Sequence, residues 1–305
     1  MSLNLNNISK SFKELKALDE LSLVIQEGEL FGMIGPDGAG KTTLFRIMAS
    51  LMLPDEGSCS ILGYDTVKDY REIRKMIGYM PGRFSLYMDL TVQENLDFYA
   101  RVFGSSIQDN YDLVKDVYEQ IEPFRKRKAG KLSGGMKQKL ALSCALIHRP
   151  RVLILDEPTT GVDAVSRQEF WEMLKKIQSE GITIVVSTPY MDEAELCDRV
   201  ALMQKGRLLH VSRPADLGEG RDSLLYSMKS EKGVYVHLDK LRSLEVVKHA
   251  WLFGDALHVS LREDGDQNVM DEVMQTWDDP TIQWEAIEPG IEDIFISLLA
   301  QREAK

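Results

Sequence analysis

The chain has 305 residues, 44% hydrophobic and 28% charged, with a formal net charge of −11. That length holds one large domain and a small one, and the apolar content is enough for a sizeable core. The acidic balance excludes a general nucleic-acid binder, whose phosphate contacts need clustered Lys and Arg.

In chain order, residues 21–25 and 30–34 read as strands. Residues 41–51 read as a helix that follows a Gly-rich turn. Between about 83 and 150 the pattern turns helical, which predicts an inserted helical subdomain. Its one basic run, Arg125-Lys126-Arg127-Lys128, reads as a solvated helix end or loop rather than a nucleic-acid patch. Residues 152–155 form a continuous apolar run, as expected of a strand buried on both faces. A helix over Ala164–Ser179 and a buried strand over 182–186 follow, so the pattern predicts a parallel sheet with crossover helices.

Gly218-Glu219-Gly220 punctuates the chain, dividing it into an α/β domain over 1–220 and a smaller α+β domain over 221–305. In the smaller part we read strand 234–238, a short helix over Leu241, strand 246–253, a Gly254-Asp255 turn and strand 256–261. Helix 269–277, strand 282–287 and helix 291–299 complete it. The order βαββαβ with a trailing helix is the split βαβ, or ferredoxin-like, pattern. Glu263, Asp264 and Asp266 read as a solvated acidic turn rather than a metal site.

Cys59, Cys144 and Cys197 lie far apart in no metal-ligand spacing, the pattern of reduced thiols in a cytosolic protein. No apolar run approaches the ~18 residues needed to cross a bilayer. No signal peptide is read at the N-terminus. The expectation is a soluble, cytoplasmic chain.

Gly35-Pro36-Asp37-Gly38-Ala39-Gly40-Lys41-Thr42 matches GxxxxGK[ST] between a strand and a helix, with Thr43 next in line. The glycines let backbone N–H groups approach phosphates, and the helix N-terminus favours their charge. Lys41 is placed to meet the β- and γ-phosphates of ATP, and the Thr42 hydroxyl to ligate Mg²⁺. Downstream, an apolar strand ends in Asp156-Glu157. An Asp at this place holds the Mg²⁺ shell in phosphoryl transfer, and Glu157 can polarise the attacking water as general base.

Between these two motifs stands Leu132-Ser133-Gly134-Gly135-Met136, heading a helix read over 136–147. Ser133, Gly134 and Gly135 form a potential anion site at that helix N-terminus. Over residues 1–215 the set resembles the ATP-binding subunits of ABC transporters, with LSGGM standing where the family has LSGGQ. Gly161-Val162-Asp163 resembles the family's D-loop. Phe12 occupies the place of the aromatic that stacks on adenine, or else is a core residue. The resemblance implies a RecA-like P-loop core and a head-to-tail dimer with a second nucleotide-binding domain. Each ATP is then held by one phosphate loop and the other subunit's signature. It also implies a transmembrane permease partner, faced by residues 83–92, and a peripheral position on the inner face of the cell membrane. The GPDGAGKTT loop, the IGYMP…LYMDLTVQENL stretch and Ile291-Glu292-Asp293-Ile294-Phe295 are similar to type-two ABC drug exporters, closest to the first half of their tandem ATPases.

Two residues of the family pattern are missing. Gly82 stands where the Q-loop glutamine follows Met80-Pro81, and Gln93 is out of register for that role. Pro189 stands where the switch histidine follows Ser187-Thr188. Neither supplies a side-chain hydrogen-bonding group, and Tyr190 is a weak candidate for a substitute. The sequence therefore implies an exporter subunit whose own ATP site binds but turns over slowly. The alternative is a soluble ABC-type regulator or non-transport ATPase that uses ATP as a dimerisation clasp. The C-terminal domain reads as a plain dimerisation or stabilising module more readily than as a ligand sensor.

Overall fold

The computed structural model describes residues 2–82, 85–106, 108–218, 225–262, 277 and 279–303. The chain begins with an antiparallel hairpin of β1 (Leu3–Phe12) and β2 (Leu15–Ile25). β3 (Leu30–Ile34), buried at every residue, runs through the Gly-rich loop into α1 (Lys41–Met48). β4 (Glu56–Ile61) and β5 (Tyr64–Asp65) return to the hairpin, giving a sheet of order β2-β1-β4-β5. The side chains of Leu3, Leu5, Leu23 and Ile25 from this sheet share one core with Leu44, Phe45 and Ile47 of α1.

After α2 (Tyr70–Met76) and β6 (Ile77–Met80) the chain turns helical. α3 (Val92–Phe103) opens on a reciprocal Thr91/Glu94 capping box and stops at Gly104 (φ 64°). This is the sequence chemistry that starts and ends helices. α4 (Tyr111–Ile121) and α5 (Gly134–Leu146) follow. In the basic run between them, Arg127 lies over the Phe124 ring, and Lys128 bridges to Thr91. Gln93 sits in the first turn of α3 and donates to Asp97 at 2.9 Å.

β7 (Val152–Asp156), α6 (Ala164–Ser179), β8 (Thr183–Thr188), β9 (Arg199–Gln204) and β10 (Arg207–Ser212) complete the second sheet. Its order is β10-β9-β3-β8-β7-β6, parallel except for the β10 edge. β7 and β8 are buried at every residue, so they carry apolar runs rather than alternation. In an open parallel sheet, ligands bind beyond the carboxyl ends of the strands. Here Ile34, Thr188, Asp156 and Met80 end four neighbouring strands on that side. No described helix is long and apolar enough to cross a membrane. The three cysteines are buried, which pushes each thiol up, that of Cys59 to about 12.

The chain divides into two units, residues 1–214 and 215–305. In the second, β11 (Leu225–Lys229), β12 (Val247–Phe253), β13 (Ala256–Leu261) and β14 (Gln283–Ile287) form an antiparallel sheet of order β12-β13-β11-β14. The first strand thus lies between the third and fourth, as in the split βαβ arrangement. The strand expected over 234–238 is not one. Val234–His237 is a 3-10 turn leading into α7 (Leu238–Arg242), and the first strand is β11 instead. Val234, Leu238 and Leu241 are the buried residues, while Tyr235 and Val236 are exposed. That i, i+4, i+7 burial is helical, and it overrode the β preference of a Val-Tyr-Val string. The helix expected over 269–277, the acidic turn and Glu219-Gly220 lie outside the described residues, except Trp277, which is buried. The final helix, α8, spans Ile291–Glu303.

Candidate functional site

The loop between β3 and α1 is shaped by close backbone approach. A Cβ on Gly35 would lie 2.2 Å from the Met203 carbonyl oxygen, and one on Gly40 (φ 106°) would lie 2.4 Å from that of Ala17. Gly38 also adopts a positive φ, 78°, but nothing crowds it. The Ala39 carbonyl accepts from Gly206 N–H at 2.9 Å, which ties the loop to the β9–β10 turn.

Lys41 stands at the start of α1 and is only 3% exposed. Its Nζ donates to the carbonyls of Gly35 (2.7 Å) and Pro36 (3.1 Å) and lies 3.1 Å from Glu157 Oε1. A buried ammonium at a helix N-terminus is positive charge of the kind an anion can meet.

Asp156 and Glu157 arrive from the end of β7. Ser187 of β8 donates its hydroxyl to Asp156 Oδ1 at 2.7 Å and accepts from Glu157 N–H at 2.9 Å. The Ser187 carbonyl accepts from the same N–H at 3.1 Å. These bonds hold Glu157 in the left-handed region, at φ 49°, where a long side chain is strained by about 1–3 kcal/mol. Strain of this kind clusters where geometry serves function.

A cleft of about 310 Å³ opens over the loop. Phe12, Gly38, Ala39, Gly40, Lys41, Thr42, Thr43 and Glu157, all singled out from the sequence, line it. The Phe12 ring, 44% exposed, lies on this wall rather than in the core. Asp37 is exposed in the loop turn. Ser133, Gly134 and Gly135 are not among the lining residues. Ser133 instead caps α5, accepting from Met136 N–H at 3.3 Å, and Gly135 packs on Ser166 of α6, where a Cβ would come within 2.9 Å of its hydroxyl. Asp163 caps α6, and the hydrogen bonds from Ser166 hold its carboxyl below the usual range.

The other two strand ends lack functional side chains. Gly82 follows β6, and a Cβ there would lie 3.2 Å from the Asp156 carbonyl oxygen and 3.8 Å from Asp156 Oδ2. Pro189 follows β8, and the next residue, Tyr190, has its ring under the Arg167 guanidinium at 4.9 Å. The sequence reading missed Ser187, and also Leu15, Lys16, Ala17 and Lys205, which line the cleft. A serine ending the otherwise apolar Ile-Val-Val run was the available signal for the first. The Lys205-Gly206 turn offered only a turn signal.

Residues 18–160 match the family model described as "ABC transporter". Over 305 residues the chain is 39% identical to the probable multidrug ABC transporter ATP-binding protein YbhF of Escherichia coli K12, covering 97% of this chain and 52% of that protein. It therefore spans about half the length of that relative. It is 40% identical over 220 residues to the Nod factor export ATP-binding protein I of Burkholderia lata, covering 71% and 72% respectively. Among solved structures it is similar to an ATP-binding subunit of an ABC transporter (TM-score 0.65, 27% identity, 71% of this chain, 92% of the other). An ATP-binding cassette solved as a dimer in a post-hydrolysis state with ADP and Pi matches with TM-score 0.63 and 28% identity, over 69% of this chain and 98% of the other. Site, fold and relatives agree: the chain belongs to the ATP-binding proteins of ABC transporters.

Proposed function

We propose that the chain is the ATP-binding motor of an exporter and that its own site holds Mg-ATP but hydrolyses it slowly. One observation carries this. Four neighbouring strand ends converge on the site, and only two bring working groups: β3 leads to Lys41, and β7 gives Asp156 and Glu157. The ends of β6 and β8 bring Gly82 and Pro189. Lys41 and the loop N–H groups bind the phosphates, and the Phe12 ring offers a stacking face for adenine.

The donor set suits Mg²⁺. This ion is held through one or two carboxylates plus nucleotide phosphates and waters, not by an all-protein cage. Thr42 and Asp156 supply hard oxygens of that kind, and among the described residues no cluster of three metal-ligating side chains competes. When bound, the ion neutralises charge on the phosphates. The Ser187 hydroxyl, donating to Oδ1, orients Asp156 for this role.

Glu157 is the candidate general base. The exposed Ser133 and Gly134 at the head of α5 are free to meet the ATP of a second nucleotide-binding domain. An apolar groove of about 360 Å³, lined by Leu51, Tyr79, Tyr99, Val102 and Phe103, suits a cytoplasmic segment of a membrane permease at the inner face of the membrane. Residues 221–305 act as an accessory domain. The relatives' names support the export direction.

The test is equilibrium Mg-ATP binding alongside phosphate release by the purified chain. Tight binding with slow release is expected. Fast release that Glu157→Gln abolishes would refute the slow-site reading.

A further inference from the structure

Lys205 lines the nucleotide cleft, yet no step of the proposed chemistry uses it. Its backbone sits in the left-handed region, φ 47°, in the tight turn between β9 and β10. The neighbouring Gly206 fixes that turn on two sides. Its N–H donates to Ala39 of the phosphate loop at 2.9 Å, and its carbonyl accepts from Asp19 N–H at 3.0 Å. A Cβ on Gly206 would come within 2.7 Å of the Ala17 carbonyl oxygen, so the turn is packed against both the loop and β2. The position of Lys205 is therefore set by the same backbone that shapes the site.

Several cations near the cleft are already paired. Lys10 pairs with Asp55, Lys16 and Arg207 both pair with Asp19, and Lys41 pairs with Glu157. Among the described residues, Lys205 has no acidic partner and no hydrogen bond to its ammonium. In a protein of net charge −11, an exposed and unpaired cation on a cleft wall is available to an incoming anion.

We propose that Lys205 is a further nucleotide-binding residue, a second cation beside Lys41 for the phosphates of ATP or ADP. This rests on the ATP-site reading above. A flexible, solvent-facing ammonium contributes modestly, and its contribution is screened by salt.

The experiment measures equilibrium binding of Mg-ATP, Mg-ADP and adenosine to the purified chain at low and high salt. The proteins are wild type, Lys205→Gln, Lys205→Arg, Lys41→Ala and the remote control Lys126→Gln, which removes the same charge from the basic run. Lys205→Gln should weaken Mg-ATP binding about three- to tenfold at low salt, with a smaller loss at high salt. Adenosine binding should not change. Lys205→Arg should stay near wild type, and so should Lys126→Gln. An unchanged affinity in Lys205→Gln, or an equal loss in Lys126→Gln, overturns the proposal while leaving the ATP site intact. Failure of the wild type to bind Mg-ATP, or full binding by Lys41→Ala, refutes the underlying reading and this proposal with it.

Discussion

Replacing Gly82 with Gln and Pro189 with His should restore turnover. Gly82 has no left-handed backbone, so a side chain there adds no strain of that kind. Its Cβ would start 3.2 Å from the Asp156 carbonyl oxygen, a contact that needs a shift of a few tenths of an ångström. The new amide would then begin beside Asp156 Oδ2, 3.8 Å from that Cβ. Pro189 lies just beyond β8, and the next turn is secured independently by Tyr190 N–H donating to Thr188 Oγ1 at 3.0 Å. Histidine therefore enters without the strand having to refold. One positioned donor to a developing charge accounts for about 2.7–4 kcal/mol, or roughly 10²–10³ in rate. Two such groups acting as a unit do not add. With the tight approach at Gly82, we expect the double variant to gain roughly 10²-fold, and each single variant less. The assay is steady-state phosphate release in an assembly where the nucleotide-binding domains dimerise, with Glu157→Gln on the same background. A double variant no faster than wild type, while still binding Mg-ATP, would refute the argument that these two strand ends limit hydrolysis.

Three further outcomes are expected. Cysteines at Tyr87 or Met88, both exposed, should cross-link to cytoplasmic loops of the membrane partner; cross-links only from residues 225–303 would contradict the docking face. Ser133→Arg should lower turnover in the complete complex while leaving Mg-ATP binding by the isolated chain unchanged, because Ser133 lies outside that chain's own cleft. Hydrogen bonds from the Ser230 and Thr281 hydroxyls hold the Asp279 carboxyl well below its ordinary 3.8, so its contribution to stability is fully present above that value and is lost as pH falls through the depressed one; Asp279→Asn should flatten this acid limb in denaturant titrations, and an unchanged limb would refute the assignment.

Much of the first unit was legible because its signals are local. Apolar runs at 30–34 and 152–155 name strands buried on both faces, and the Gly-Lys-Thr run between a strand and a helix has few other structural meanings. In the second unit the alternation of residues 246–261 found the β12–β13 hairpin, and its strand order follows the split βαβ pattern. The first strand was misplaced because Val-Tyr-Val has the composition of a strand but the burial of a helical turn. Composition is visible in sequence, whereas which residues face the core depends on what packs against them.

The site divides along a similar line. Lys41, Asp156 and Glu157 are legible because they sit in spaced motifs, whereas Ser187 and Lys205 reach the site only through strand pairing and a turn packed on the loop. The two missing groups also fall where the fold tolerates their loss. Gly82 and Pro189 lie beyond the ends of β6 and β8 and take no part in the strand ladders. Lys41 and Asp156 are different. The first holds the carbonyls of Gly35 and Pro36, the second is buried against the Ser187 hydroxyl, and removing either leaves buried polar groups unpaired at about 1–3 kcal/mol each. On the proposed reading, Lys41 and Asp156 hold the structure of the site as well as its ligand, whereas the positions of Gly82 and Pro189 have no such structural role. That is the pattern expected if, as proposed, the site binds and clasps nucleotide but cleaves it slowly.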